Sequence, residues 1–267
     1  MTFLSKVSLL SALLLCATSI HAADAADAIG KVAAIKGFPT ASGTGGARGL
    51  ARGDALYEGD TVKASGGGNV QILLNDGTKL VVGPASQLVL ERYLMRNQKT
   101  ASKVAVKALR GYFRFITGNS AKSAYAIATP NATIGIRGTG FDIRVRNITL
   151  AAVTEGTIKL TGINADTVNA AAGCGVAEAG GGSTSAKLLE GRAKATRLRQ
   201  DFPMLFNQSS LSPAFRLTTE ECRQIVSGTR AGVPGGQGPT NTNVPSGGTL
   251  GDGRGGEGGN GGYGDNW

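Results

Sequence analysis

The stretch "IRGTGFD" holds the residues of this chain whose types and spacing come closest to a binding site. Arg137 is followed by Gly138, Thr139 and Gly140. A guanidinium presents a fork of N–H donors that matches a carboxylate, so Arg137 is a candidate for holding an anionic ligand. The same fork could hold a turn together by pairing with Glu155 and with backbone carbonyls. We favour this structural role, because glycines and alternating apolar positions flank the arginine.

Histidine usage excludes several classes of catalytic and metal site. The only histidine of the chain is His21, in an N-terminal segment that we predict below to be removed. Without it, Ser/His and Cys/His nucleophilic sites and imidazole-bound zinc are excluded. Carboxylates and lysines remain, but no spacing singles out a catalytic pair. The sequence therefore predicts no enzyme activity, no catalytic residue, no metal and no cofactor.

Two cysteines, Cys174 and Cys222, lie beyond the N-terminal segment. They are too few for a four-thiolate metal site. Outside the cytoplasm such a pair forms one disulfide or remains as two free thiols, and we favour the disulfide.

The N-terminus predicts export. Lys6 precedes an apolar run over residues 7–20, and small residues follow at Ala22 and Ala23. At about 14 residues the run is shorter than the ~20 that a membrane helix needs, and no later stretch approaches that length. A charged start, a short apolar run and small residues are typical of a secretory signal. We expect residues 1–22 to be a signal peptide, and the cleaved chain to be periplasmic or secreted, with no membrane span.

The chain is basic, with 28 Lys and Arg against 18 Asp and Glu and a formal net charge of +10. Aromatic residues make up 5% of it, so platforms for stacking bases are scarce. In an exported bacterial protein this charge predicts contacts with anionic envelope surfaces. We expect no nucleic acid among its partners.

Residues 28–161 alternate apolar and polar side chains, with Gly and Asp at the breaks, which is the pattern of short strands and tight turns. Residues 70–82 form a hairpin closed by Asp76-Gly77. In residues 141–146 apolar and polar positions alternate, so one face is core and the other is wet. The sequence predicts an all-β domain, an antiparallel multi-stranded sandwich or barrel-like fold.

The composition changes after Thr161. Residues 162–185 are rich in Ala and Gly, which predicts a linker. Residues 187–199 indicate a basic helix that either lies on anionic lipid or an acidic partner, or packs on the β domain as a solvated helix. Thr218 and Glu221 have the spacing of a capping box, so a second short helix follows. We therefore assign residues 162–227 to a linker and short helices. Residues 228–267 are Gly-rich and predict a disordered tail.

Several motifs together resemble the FecR domain, the periplasmic module of iron-dicitrate-type sigma-factor regulators. They are "GDALYEGDTVKAS", "VQILLNDGTKLVVGP", and "ATPNATIGIRGTGFDIRV" followed by "TEGTIKL". The resemblance covers about residues 29–161. It implies an all-β periplasmic domain that passes a signal between an outer-membrane receptor and a regulator, without enzyme activity. For the full regulators of this family, the resemblance implies a cytoplasmic sigma-binding segment, followed by one membrane helix and then by this domain. Here a cleavable signal is expected in place of the first two, so the chain is not expected to hold a sigma factor itself.

Two hypotheses follow for the function. In the first, the chain is a FecR-like sensing module that acts through an envelope partner, a receptor or a membrane sensor. In the second, it is a structural or secreted surface scaffold with no signalling role, whose basic segment touches the envelope.

Overall fold

The alternating pattern forms strands, and the all-β prediction is confirmed. The computed structural model describes residues 27–181 and 185–228. The predicted signal peptide and residues 229–267 of the predicted tail lie outside this part of the chain. Within it, no helix has the length and hydropathy needed to cross a membrane.

Fifteen strands form one hydrogen-bonded sheet in the described residues. In chain order they are β1 (Gly30–Lys36), β2 (Thr40–Gly43), β3 (Gly46–Gly49), β4 (Ala55–Leu56), β5 (Thr61–Lys63), β6 (Asn69–Leu74), β7 (Lys79–Val82), β8 (Gln87–Met95), β9 (Ala101–Ile116), β10 (Tyr125–Ala128), β11 (Ala132–Val145), β12 (Ile148–Gly162), β13 (Thr167–Ala171), β14 (Gly175–Gly180) and β15 (Lys187–Leu189). The helices are α1 (Gly191–Asp201), α2 (Pro203–Phe206) and α3 (Glu220–Ser227), with short 3-10 helices at Lys122–Ala124 and Pro213–Phe215.

The long strands β9, β11 and β12 each change partners midway. The first part of β9 pairs with β8 and β10, and its last part pairs with β7 and β11. The first part of β12 pairs with β14 and its last part with β13. Each long strand therefore belongs to two layers, and the inward side chains of both layers share one core.

One pair of strands departs from the antiparallel prediction, because β10 runs parallel to the start of β9. The chain leaves β9 at Ile116 and must return to Tyr125, which pairs with Val104. If β9 were straight, these two points would be about 40 Å apart, whereas residues 117–124 can span only about 30 Å. β9 must therefore bend. Gly111 lies between its two sets of partners with φ +105°, and a Cβ there would meet the Ser86 Oγ at 2.1 Å.

The hairpin of β6 and β7 is confirmed. Gly77 turns with φ +85°, and Val70 pairs with Val82. The inward residues of the hairpin are each at most 2% exposed, namely Val70, Ile72, Leu74, Leu80 and Val82. The core thus lies where the period-two pattern placed it.

The linker predicted over residues 162–185 is wrong, because that stretch holds β13 and β14. Ala170, Ala177 and Ala179 are completely buried there. Small side chains suit these strands because they pack closely against β12, so a composition that resembles a linker here reflects tight packing. The β region extends to β15, and residues 187–189, which were predicted to be helical, are extended.

The two predicted helices form with shifted starts. α1 begins at Gly191. α3 begins at Glu220 with Thr219 as its N-cap and without a side-chain capping hydrogen bond. The capping box predicted at Thr218 and Glu221 is therefore not formed.

The face of β11 that was predicted to be wet is also different, because Asp142 is buried. Residues 202–217, which we call the strap, lie over this face. Met204, Leu211 and Phe215 of the strap pack on Val81 of β7. Beside them, Leu198, Phe202 and Leu205 pack on outward apolar residues of β12 and β14. The strands of this layer are consequently buried on both sides.

Candidate functional site: the strand joint, the strap and the open face

The stretch "IRGTGFD" is a joint between the two layers. Before the joint, Ile134 of β11 pairs with Ile127 of β10. After it, Gly140 pairs with Ile116 of β9. The register with β12 shifts between Arg137 and Gly140, which is the signature of a bulge that re-aims a strand.

Glycines are required at the joint because two backbones and the strap approach closely. Gly138 has φ +73° and Gly156 on β12 has φ +71°. A Cβ on Gly156 would lie 1.4 Å from the Gly138 carbonyl oxygen, and a Cβ on Gly140 would lie 2.4 Å from Leu217 Cδ2 of the strap. The joint therefore serves the architecture of the sheet.

Arg137 does not pin this joint. It pairs through its backbone with Thr157 of β12, and its side chain is exposed. Within the described residues its guanidinium has no hydrogen bond or ion pair, so the expected pairing with Glu155 is not formed. Alternation along β11 points Arg137 outward, while the bulge places Glu155 opposite Gly140.

Thr139 is the buried member of the joint. Its backbone N–H donates to Thr117 Oγ1 at 3.3 Å, and its carbonyl accepts from the Thr117 N–H at 3.0 Å. Its own Oγ1 is buried and has no hydrogen-bond partner in the described part of the chain. These bonds tie the bulge to the residue that follows β9.

Cys174 and Cys222 form a disulfide with their Cα atoms 5.3 Å apart. Cys174 lies in the turn between β13 and β14, and Cys222 lies in α3. Both are buried beside Val176 and Leu198. The bond attaches the end of the described chain to the sheet next to the strap.

Arg114 of β9 is the central polar contact under the strap, and sequence reasoning missed it. Its side chain is completely buried against Asp142, with Nε–Oδ1 at 2.6 Å and Nη2–Oδ2 at 2.9 Å. It also donates to the carbonyls of Met204 at 2.9 Å and Phe215 at 3.2 Å, and to the Gln208 side-chain oxygen. One arginine thus joins β9, β11 and three points of the strap.

Gln71 of β6 holds the strap at a second point. It donates to the Ser210 carbonyl at 3.1 Å and accepts from the Ser212 N–H at 2.8 Å. The sequence carries a signal for this cover, because Arg114 and Gln71 interrupt the apolar strands "YFRFI" and "VQILL". A buried polar side chain needs a hydrogen-bond partner, which here is the backbone of the strap.

A single buried carboxylate under the β6–β7 turn, Asp76, also serves the fold through hydrogen bonds with surrounding hydroxyls. Asp76 accepts hydrogen bonds from the hydroxyls of Thr78, Ser120 and Tyr125 at 2.9, 2.6 and 3.1 Å. The Asp76 N–H donates to the Tyr93 hydroxyl at 2.7 Å. Burial first, and the nearby Asp76 second, raise the pKa of Tyr93 well above its usual range, and burial also raises the pKa of Tyr125.

The basic residues of α1 are largely used inside the fold. Arg197 bridges Glu178 and Asp201 at 3.2 and 3.3 Å, and Arg199 donates to the Val226 carbonyl at 2.7 Å. Burial lowers the pKa of Lys194, partly offset by Glu221 and Glu190. This helix therefore packs on the β region.

The opposite outer face of the molecule is bare in the described residues. We call it the open face. It consists of outward positions on the first part of β9, on β10, on the first part of β11 and on the last part of β12: Lys103, Ala105, Lys107, Ala126, Thr133, Gly135, Arg137, Thr157 and Lys159. Its four cations are exposed, and none has an ion pair or side-chain hydrogen bond with any described residue.

Comparison with known proteins addresses the same region. Residues 60–159 match the family described as FecR protein, a range that runs from the residue before β5 into the last part of β12. Two crystal structures of a proposed anti-sigma factor from Parabacteroides distasonis ATCC 8503 align with 52% of this chain at 12% identity, with TM-scores of 0.41 and 0.40. The chain covers 62% and 63% of those chains.

A structure of a cell surface anchoring domain aligns with 23% of this chain and 82% of its own, at 37% identity and a TM-score of 0.22. No curated protein matches the chain. The FecR match lies inside the region that carries the sequence motifs and contains both the joint and the open face. Residues 60–159 therefore match a FecR domain.

Proposed function

We propose that this chain is an exported, non-enzymatic FecR-type interaction and sensing module of the bacterial envelope, and that it acts through a partner protein such as a receptor or a membrane sensor. The FecR match over residues 60–159 supports a regulator-like signalling module.

The open face is the observation that carries the proposal. Within the described part of the chain, the strap covers one outer face of the sheet and nothing covers the other. Among the described residues, the four cations of this face have no ion pair or side-chain hydrogen bond, whereas the buried Arg114 is fully paired. Charged side chains left unpaired on a rigid sheet are available for a partner.

The chemistry of the described residues supports binding over catalysis. They hold no group of three or more His, Cys, Asp or Glu residues that could bind a metal ion. The buried carboxylates are engaged by the fold, since Asp142 pairs with Arg114 and Asp60 pairs with Arg48.

The scaffold alternative relied on a basic segment touching the envelope. Arg197, Arg199 and Lys194 instead bind within the fold, which leaves Arg192 as the exposed and unpaired cation of α1 among the described residues. This favours the signalling module over the scaffold.

The test is localisation followed by partner capture with the full-length chain. We expect the tagged chain in the periplasmic fraction, with a mature N-terminus near Ala23 by mass spectrometry, and in a complex with an envelope receptor or sensor after cross-linking in cells. A chain that stays in the cytosol, or that is found in the medium or cell-surface fraction without such a partner, would refute the proposal.

A further inference from the structure

We propose that the open face docks an acidic surface of a partner protein, with Lys103, Lys107, Arg137 and Lys159 as the contacting cations. This inference rests on the proposed function and adds to it the docking surface and the chemistry of the partner. It follows from the register of four strands and from the side chains between the cations.

The four cations form a quadrilateral. Lys103 and Lys107 lie on β9 about 13 Å apart, because a strand rises about 3.3 Å per residue. Arg137 lies opposite Thr157, so Lys159 is its diagonal neighbour on β12 at about 7–8 Å. β10 separates the two pairs, which places them about 10–15 Å apart at the usual strand spacing.

Small residues form the floor between these cations. Ala105 pairs with Ala126 across β9 and β10, and Gly135 lies next to Lys159 across β11 and β12. Thr133 and Thr157 complete the floor. Because these side chains are short, the floor is flat and the cations rise above it, so a flat partner surface reaches all four at once.

The strand positions within this quadrilateral carry no carboxylate. On the β8 side, Arg92 is paired with Glu58 at 3.1 Å and Glu91 is exposed. On the other side, Asp166 lies in the turn after β12. The face is therefore positive in its centre, and it favours a negatively charged partner.

The geometry favours a protein over a linear polyanion or a membrane. A polymer is matched by a row of cations along one line, whereas these cations span two dimensions. Membrane binding needs large apolar side chains. Within this face the described residues expose none, and at its margins they expose Leu94 on β8 and Ile163 after β12. Four strands by about five residues cover roughly 300 Å², less than half of the roughly 800 Å² that one partner buries in a standard interface. We therefore expect a weak, reversible and salt-sensitive contact.

The experiment places a photo-crosslinking amino acid at Thr133 on the open face, or at Phe38, which is 91% exposed in the β1–β2 turn. The full-length chain is cross-linked in cells, and the captured protein is identified, purified and titrated with the chain at two salt concentrations. Capture from Thr133, with affinity that falls as salt rises, is the expected result.

Three variants then assign the contact. K103A/K107A/R137A/K159A is expected to weaken binding about tenfold or more, since several charge pairs are lost together. The control K31A/K36A/R52A/R192A removes an equal number of positive charges, four, from exposed positions outside the open face. It should bind within about twofold of wild type. K103R/K107R/R137K/K159R keeps the charges and should also bind as wild type. All substituted positions are exposed, so circular dichroism and melting should be unchanged.

Each other outcome overturns the inference in a recognisable way. Capture from Phe38 alone, or equal binding by the alanine variant and its control, would leave the interaction function standing on another surface. Binding only to anionic phosphatidylglycerol vesicles or to a polyanion would replace the protein partner by an envelope polymer. Capture from neither position would remove the proposed function together with this inference.

Discussion

At the scale of single residues, the structural role that the sequence suggests for Arg137 belongs to a different arginine, Arg114. Arg137 lies in the conspicuous glycine-rich joint, yet it is exposed and unpaired within the described residues. Arg114 lies in an ordinary-looking strand, yet it is buried and bound at every side-chain nitrogen. Alternation says only that each points away from the main core. A segment about ninety residues later in the chain, the strap, decides which of them is covered.

Replacing Arg114 should therefore be costly. Removing one partner of a buried ion pair leaves the other charge unpaired and typically costs about 3–5 kcal/mol. We expect Arg114→Ala to lower the free energy of unfolding by about this amount in urea titrations. The matched control Arg137→Ala should change it by less than about 0.5 kcal/mol, as is usual for an exposed residue.

A double variant separates the ion pair from simple loss of packing. R114M/D142L removes both charges and keeps apolar volume, so it should be more stable than Arg114→Ala. If Arg114→Ala is as stable as Arg137→Ala, the strap does not depend on this arginine.

At the scale of elements, the sequence predicts the strands better than their surroundings. The hairpin around Asp76-Gly77 and the inward face of β11 follow from local alternation and turn chemistry, which act within a few residues. β13 and β14 were missed because their Ala and Gly residues have low strand propensity, and they are stabilised by close packing on β12. One local signal for the covered layer does exist, and it lies in β12. The unbroken apolar run "LAAV" at residues 150–153 is typical of a strand that is buried on both faces.

The joint gives the clearest test of an element. Gly156 has φ +71° and faces the Gly138 carbonyl, so Gly156→Ala combines a left-handed backbone, costing about 1–2 kcal/mol, with a steric clash that adds about 1–3 kcal/mol. We expect a loss of at least about 2 kcal/mol in unfolding free energy. Gly135→Ala is the control, because the nearest atoms to its added Cβ lie at 3.9 Å. Equal stability of both variants would show that β11 bends without needing this glycine.

At the scale of the whole molecule, the two outer faces of the sheet have different fates. One is closed by the strap, which Arg114 and Gln71 hold from below and which the disulfide to α3 secures beyond its end. The other, with its four cations, is covered by none of the described residues. A chain whose described part closes one face and leaves the second uncovered presents a defined side to a partner.

This division predicts a local effect of removing the disulfide. Cys174 and Cys222 are separated by 48 residues, and closing a loop of that size stabilises a fold by about 4 kcal/mol in the loop-entropy model. We expect C174A/C222A to lose about this much unfolding free energy. Hydrogen exchange should become faster under the strap, in β7 and the last part of β9, while β10 and the first part of β11 stay protected. Because the open face lies on those protected strands, partner binding should persist in the variant. If hydrogen exchange became as fast in β10 as in β7, the two faces would not be independent.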